Sequence, residues 1–113
     1  MTGEEFVKHL KEEILSDAFN YYFETLPTTI KGTDRYWEKS KQLFHGLNNE
    51  QRNQLKVFTQ LIMTDTISSI FSKLDNLSSY ANQEGFFEVT LNGNVISGDL
   101  QETFLMSIEE DNA

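Results

Sequence analysis

The chain has 113 residues, a net charge of −9 and no cysteine, which excludes disulfides, thiolate metal sites and cysteine nucleophiles. Its 38% hydrophobic content, with nine phenylalanines, is too apolar for a disordered chain, and its length predicts a single globular domain over residues 1–113. No apolar run approaches the roughly 18 residues of a membrane span, and no basic segment followed by an apolar block marks a signal peptide, so we expect a cytoplasmic protein.

A capping box predicts the start of the first helix. Thr2 and Glu5 have the T-x-x-E spacing in which each side chain can accept from the other residue's backbone N–H, so the helix should begin at Gly3. Apolar residues then recur at helical spacing as far as Leu26. Pro27 predicts the end of the helix there, because a proline disfavours helical geometry at the residue before it.

A shorter second helix is predicted from Arg35 to about Leu47. Asp34 stands directly before it and is a favourable N-cap. Lys39 and Lys41 are predicted to project outward from this helix into solvent.

The longest predicted helix covers residues 49 to about 75, and its apolar positions spread around most of the circumference. A helix that is apolar nearly all round is usually buried, so we expect a central helix that the rest of the chain surrounds. It would span roughly 40 Å, whereas a compact domain of this size is only about 35 Å across. The helix should therefore bend near 64–69 or project at one end.

A β-hairpin is predicted at about residues 86–97. Within residues 86–91, Phe87, Val89 and Leu91 stand at every second position, which is the period of two typical of a half-buried strand. Asn92 and Gly93 are the strongest short signal for a type I′ turn. A turn of these two residues pairs Leu91 with Asn94 across the hairpin. The same register continues to Thr90 with Val95 and to Val89 with Ile96.

The last predicted helix follows the hairpin. Asp99 is expected to cap it, with Glu102 in the reciprocal position of a capping box. The predicted fold class is therefore α+β and predominantly helical, with about four helices around a buried central helix and one hairpin before the C-terminal helix.

Sequence motifs for catalysis or metal binding are not found. Neither His9 nor His45 lies in a zinc-binding spacing, and the chain has no P-loop, no dinucleotide-binding glycine motif and no nucleophile elbow. The acidic spacings do not match a calcium-binding loop. We therefore expect no metal, no cofactor and no catalytic residue.

Charge is distributed unevenly along the chain. Residues 1–57 hold nine acidic and eight basic residues, whereas residues 58–113 hold nine acidic residues and a single base, Lys73. The negative field of this half repels nucleic acid and anionic membranes and attracts basic proteins or cations. The alternative is that this charge serves solubility alone. The predicted protein-binding residues are Asp65, Glu84, Glu88, Asp99, Glu102 and Glu109. Asp65 shares an arc of the long helix with apolar residues, so it should lie either at a gap in the covering layer or buried with partners.

The chain resembles the bacterial immunity proteins that neutralise toxins. The resemblance is carried by small size, acidity, Tyr36-Trp37 at the head of an early helix, and the segments 86–91 and 97–105. The resemblance concerns the size, the charge and the general residue pattern of the whole chain. It assigns no functional residue. It implies tight binding of a cationic toxin domain by an acidic face.

Three interpretations of function follow from these patterns. The leading one is a non-enzymatic acidic protein-binding module, such as an immunity-type inhibitor that blocks a basic partner. The alternative is a homo-oligomeric structural or assembly protein, for example a homodimer that uses the hairpin edge or spare aromatic surface. The third is an enzyme with a carboxylate-lined pocket.

Overall fold

Four helices and one short hairpin make up the part of the chain that this computed structural model describes, residues 1–32 and 34–112. The first helix, α1, is continuous and consists of α-helical Gly3–Lys11, π-helical Glu12–Ala18 and α-helical Phe19–Thr25. The other elements are α2 (Arg35–His45), α3 (Asn49–Leu74), β1 (Thr90–Leu91), β2 (Asn94–Val95) and α4 (Leu100–Asp111). The predicted fold class, predominantly helical α+β with a hairpin before the C-terminal helix, is confirmed.

Local signals set both ends of α1 as predicted. The backbone N–H of Glu5 donates to the Thr2 hydroxyl at 3.1 Å, and the N–H of Thr2 donates to the Glu5 carboxylate at 3.4 Å. The helix ends at Thr25, with Leu26 as its C-cap, directly before Pro27. Each of these features depends on residues within three positions, which is why the sequence alone predicts them.

The π-helical segment of α1 was not predicted, and it changes which side of the helix packs. A π turn contains more residues than an α turn, so the residues after it face a different direction from those before it. Before it, Val7 is buried in the main core; after it, Phe23 packs edge-on against Phe44 of α2 at 6.2 Å between ring centroids. The side-chain amide of Gln60 in α3 donates to the Leu15 carbonyl within the π segment at 3.3 Å.

The main core lies where α1, α3 and the C-terminal helix α4 meet. Its buried members are Val7, Ile67, Phe71, Leu100 and Phe104. The rings of Phe71 and Phe104 are in edge contact at 5.9 Å between centroids, so α3 and α4 are joined by an aromatic pair at the centre of this cluster.

The prediction that α3 is buried all round is wrong. Only Ile67 and Phe71 are buried in this 26-residue helix. The apolar residues of its first half are at least half exposed: Val57 71%, Phe58 56%, Leu61 54% and Ile62 50%. At about 39 Å the helix extends past the core that α1 and α4 form around its second half. Its first half is contacted on one side only, where Gln60 donates to Leu15 of α1 and Arg52 to Phe44 of α2. The radius of gyration is accordingly 17.4 Å, against about 13 Å for a compact domain of this length.

The hairpin has the predicted register but is shorter than predicted. Thr90 pairs with Val95 and Leu91 with Asn94, and both turn residues have positive φ as a type I′ turn requires. Regular pairing then stops, although the Ile96 N–H still donates to the Val89 carbonyl at 2.8 Å.

Side chains replace the missing part of the strand ladder. The amide group of Asn76, just after α3, both donates to the Phe87 carbonyl and accepts from the Phe87 N–H, at 3.0 and 2.8 Å. The Val89 N–H donates to the Ser97 hydroxyl at 2.9 Å. These backbone groups are therefore satisfied without a partner strand, which is why the segment before Thr90 is not a strand.

The predicted capping of α4 by Asp99 is wrong. Asp99 stands at the N-cap position, but its side chain makes no capping hydrogen bond. The carboxylate of Asp75, at the C-cap of α3, instead accepts from the N–H of Gly98 at 2.7 Å and from that of Gln101 at 2.8 Å. One buried carboxylate thus joins the end of α3 to the start of α4.

Lys41 is buried, contrary to the prediction that it projects outward. Its ammonium donates to the Thr29 carbonyl at 2.8 Å and lies 5.9 Å from the centre of the Trp37 ring. Lys39 is exposed as predicted. Lys41 therefore faces the segment that links α1 to α2, where its ammonium satisfies a backbone carbonyl.

Gly3 is required by a close approach between α1 and the hairpin. A Cβ at this position would overlap the backbone carbonyl oxygen of Ile96. We expect Gly3→Ala to lower the free energy of unfolding by about 1–3 kcal/mol, even though alanine is the better helix former. The control is Gly46→Ala, whose Cβ would lie 3.5 Å from the nearest atom. Urea denaturation of both variants checks this, and equal midpoints would contradict the close approach.

Candidate protein-binding surfaces

All six acidic residues that the sequence singles out are exposed. None of their side chains takes part in a salt bridge or hydrogen bond within residues 1–32 and 34–112. Two other carboxylates of the C-terminal half do have partners: Asp75 binds the backbone at the start of α4, and Asp111 forms a salt bridge with Lys11. The six predicted residues are thus free to meet a partner from outside.

Two of the six share the outer side of α4. Glu102 and Glu109 are seven positions apart, two helical turns, and lie on the side opposite the buried Phe104. Between them lie Leu105 and Met106, which are 41% and 54% exposed. We call Glu102, Leu105, Met106 and Glu109 the α4 face. It is an apolar centre with a carboxylate at each end.

The hairpin brings Glu88 toward the start of α4. The neighbouring Val89 is bonded to Ser97, two residues before Asp99. Glu88 and Asp99 therefore lie at the same end of the molecule as Glu102. Glu84 lies in the exposed connection between α3 and the hairpin.

Asp65 is separate from the other five. It lies on the outer side of α3, because its helical position is about 160° from that of the buried Ile67 at 100° per residue. It is exposed, and so are the apolar side chains in the two turns before it. We call Val57, Phe58, Leu61 and Ile62 the α3 face, with Asp65 at its C-terminal edge.

The sequence interpretation missed the α3 face because it took all-round apolar character as a sign of burial. The length of the helix, which already predicts a bend or a projecting end, was the signal that could have identified this face. Apolar residues on a part of a helix that extends past the core are exposed on the side that nothing covers.

Two grooves lie among the described residues. The first, of about 430 Å³, lies between the end of α1, α2 and the first half of α3, and Trp37 in its wall stacks on Tyr22 at 5.5 Å. The second, of about 740 Å³, lies between α1 and α4. Its lining includes Glu12 and Glu110 but also Lys8 and Lys11, and Lys11 forms a salt bridge with Asp111, so the groove is of mixed charge rather than lined by carboxylates alone.

Comparison with known proteins finds no family model, no curated protein and no solved structure that matches this chain. Within the described ranges, no group of three or more acidic or histidine side chains is arranged to hold a metal ion. No helix in that same part of the chain combines the length and the apolar character of a membrane span. The exposed surfaces are therefore the features of the molecule that bear on its function.

Proposed function

We propose that this protein is a non-enzymatic protein-binding module whose acidic C-terminal half engages a basic protein partner. The observation that carries the proposal is the set of exposed carboxylates without counter-ions. Of the nine acidic residues in 58–113, seven are exposed and have neither a salt bridge nor a backbone cap in the described structure. A concentrated field of one sign accelerates association with a partner of opposite charge and disfavours other partners.

The α4 face has the composition of a binding site as well as its charge. Protein interfaces typically combine an apolar centre, which loses its water, with a polar rim. Leu105 and Met106 are the apolar centre, and methionine adapts its shape readily to a partner. Glu102 and Glu109 form the rim, and Asp99 and Glu88 extend the acidic surface toward the hairpin.

An inhibitor of the immunity type is one form of this function. A protein that cleaves or binds nucleic acid must present a basic surface to the phosphates. An acidic face that covers such a surface would exclude the substrate without any chemistry of its own. The proposed partner of this form is accordingly a basic toxin domain.

Charge reversal on the α4 face is expected to abolish capture of the partner. We would compare the tagged wild type with Glu102→Lys/Glu109→Lys in lysate of the source organism, at about 50 mM and about 500 mM NaCl, where the screening length falls from roughly 14 to roughly 4 Å. A basic protein should be recovered by the wild type at low salt. Its recovery should fall at least tenfold with the variant, because like charges then face each other.

The matched control is Glu13→Lys/Glu24→Lys, which makes the same change in net charge on exposed positions of α1. It should retain the partner. Circular dichroism should show the same helix content for all three proteins. Equal losses in both variants would mean that only total charge matters, and unchanged capture by the α4 variant would contradict the proposed surface.

A further inference from the structure

The chain exposes far more surface than a compact protein of its mass. Its accessible surface is 8185 Å², whereas a folded monomer of 13.1 kDa is expected to expose about 6,400 Å². The observed 8185 Å² therefore exceeds the expected surface by about 1,800 Å² per chain. Obligate homodimers bury roughly 2,000–5,000 Å² in total, which is the scale of the combined excess of two chains.

The α3 face is the exposed apolar surface best suited to meet an identical copy of itself. Its four apolar residues lie on adjacent turns, and each pair four positions apart stacks along the helix. Residues 49–64 of α3 contain one acidic and two basic residues, whereas all nine acids of the C-terminal half lie in 65–113. Two copies that meet through the first half of α3 therefore keep their acidic parts apart, whereas contact through the α4 face would bring like charges together.

We infer that a second copy of this chain docks on the α3 face, so that the protein is a homodimer in which the two α3 helices pack against each other. The inference goes beyond the binding function proposed above and does not rest on it, because it uses a different helix. It also assigns a role to the exposed outer side of the first half of α3, which the fold of a single chain leaves uncovered.

The charge of Asp65 selects an antiparallel arrangement of the two α3 helices. In a parallel pair in register, the two Asp65 carboxylates would lie opposite each other, which is unfavourable for like charges. In an antiparallel pair, Phe58 lies opposite Leu61 of the second copy, and the same register places Asp65 opposite Gln54. The exposed Gln54 amide can donate a hydrogen bond to that carboxylate.

The mass in solution tests the dimer. Light scattering on the full chain at about 100 µM should give about 26 kDa, twice the 13.1 kDa of one chain. The same mass is expected at low and high salt, because the α3 face is apolar. A wild-type mass of 13 kDa under these conditions would overturn the inference, whatever any variant does.

Two substitutions identify the surface. Leu61→Lys, in the centre of the α3 face, should reduce the mass to that of one chain. Val95→Lys places the same charge on an apolar residue of the hairpin with equal exposure, 55% against 54%, and should remain dimeric. The opposite pattern would show a dimer through the hairpin edge and overturn the α3 assignment. Glu102→Lys/Glu109→Lys should also remain dimeric, so failure of the basic-partner proposal and failure of the dimer are distinguishable.

A single spin label tests the orientation. The chain has no cysteine, so Ser69→Cys provides one labelling site on the outer side of α3. The antiparallel pair predicts about 30 Å between the two labelled positions, and a parallel pair about 10 Å, from the rise per residue and the spacing of packed helices. A distance near 10 Å, or no dipolar coupling at all, would contradict the proposed arrangement.

Discussion

Phe104→Ala is expected to lower the free energy of unfolding by about 3–5 kcal/mol. The Phe104 side chain is fully buried, with 0% exposure, and its ring is in edge contact with Phe71. Truncation to alanine removes both the burial of the ring and this aromatic contact, and it leaves a cavity between α3 and α4. Phe104 is one of five buried members of the main core among the described residues, so its ring is a large share of the fully buried apolar surface there.

The expected loss is large compared with the total stability of a small domain, which is about 5–15 kcal/mol. A domain at the low end of this range would lose most of its stability through this one substitution. Urea denaturation followed by circular dichroism measures the effect. The protein concentration must be the same for every sample, because dimer formation makes apparent stability depend on concentration.

Phe86→Ala is the matched control for this prediction. It removes the same ring from a side chain that is 88% exposed, so its effect should stay within about 0.5 kcal/mol. A loss below about 1 kcal/mol for Phe104→Ala, or equal losses in the two variants, would mean that the core is not at the α1, α3 and α4 junction.

Features of the fold that depend on neighbouring residues could be predicted from the sequence. The Thr2 and Glu5 capping box, the Asp34 cap of α2 and the Asn92-Gly93 turn all occur as predicted. In each case the groups that bond are at most three positions apart. The competing alternatives are then few, and residue type decides between them.

Features that depend on distant parts of the chain could not be predicted in this way. The segment before Thr90 has the alternation of a strand, yet Asn76, eleven positions before Phe87, occupies the backbone groups of Phe87. Burial of α3 was predicted wrongly because α1 and α4 surround only its second half, whereas its first half is contacted on one side by the end of α1 and by α2. Periodicity reports which side chains are apolar but not how much chain is available to cover them.

The candidate surfaces show the same contrast between features that depend on neighbouring residues and features that depend on tertiary structure. Exposure of the acidic residues is what elementary electrostatics leads one to expect, because an unpaired carboxylate is rarely buried. Their grouping depends on tertiary structure: Glu102 and Glu109 share a face of α4, whereas Asp65 lies on the outer side of a different helix. One predicted set of residues therefore divides between the acidic surface proposed for a basic partner and the α3 face proposed for a second copy.

Asp75→Asn is expected to lower the free energy of unfolding by about 2 kcal/mol. The two carboxylate oxygens of Asp75 accept from different backbone N–H groups, Gly98 and Gln101, at the start of α4. Asparagine has the same shape, but one oxygen becomes an NH₂ group. A donor then faces a donor at a buried site, and one N–H of the helix start loses its acceptor. The negative charge that favours a helix N-terminus is lost as well.

Asp99→Asn is the control that decides which aspartate caps α4. The sequence favours Asp99, which stands at the N-cap position, whereas the structure gives the capping hydrogen bonds to Asp75. Because the Asp99 side chain bonds no backbone N–H, its replacement should change the stability by less than about 0.5 kcal/mol. Urea midpoints of the two variants at equal protein concentration provide the comparison. If Asp99→Asn proves the more damaging of the two, α4 is capped locally, and the link between the end of α3 and the start of α4 through Asp75 does not hold.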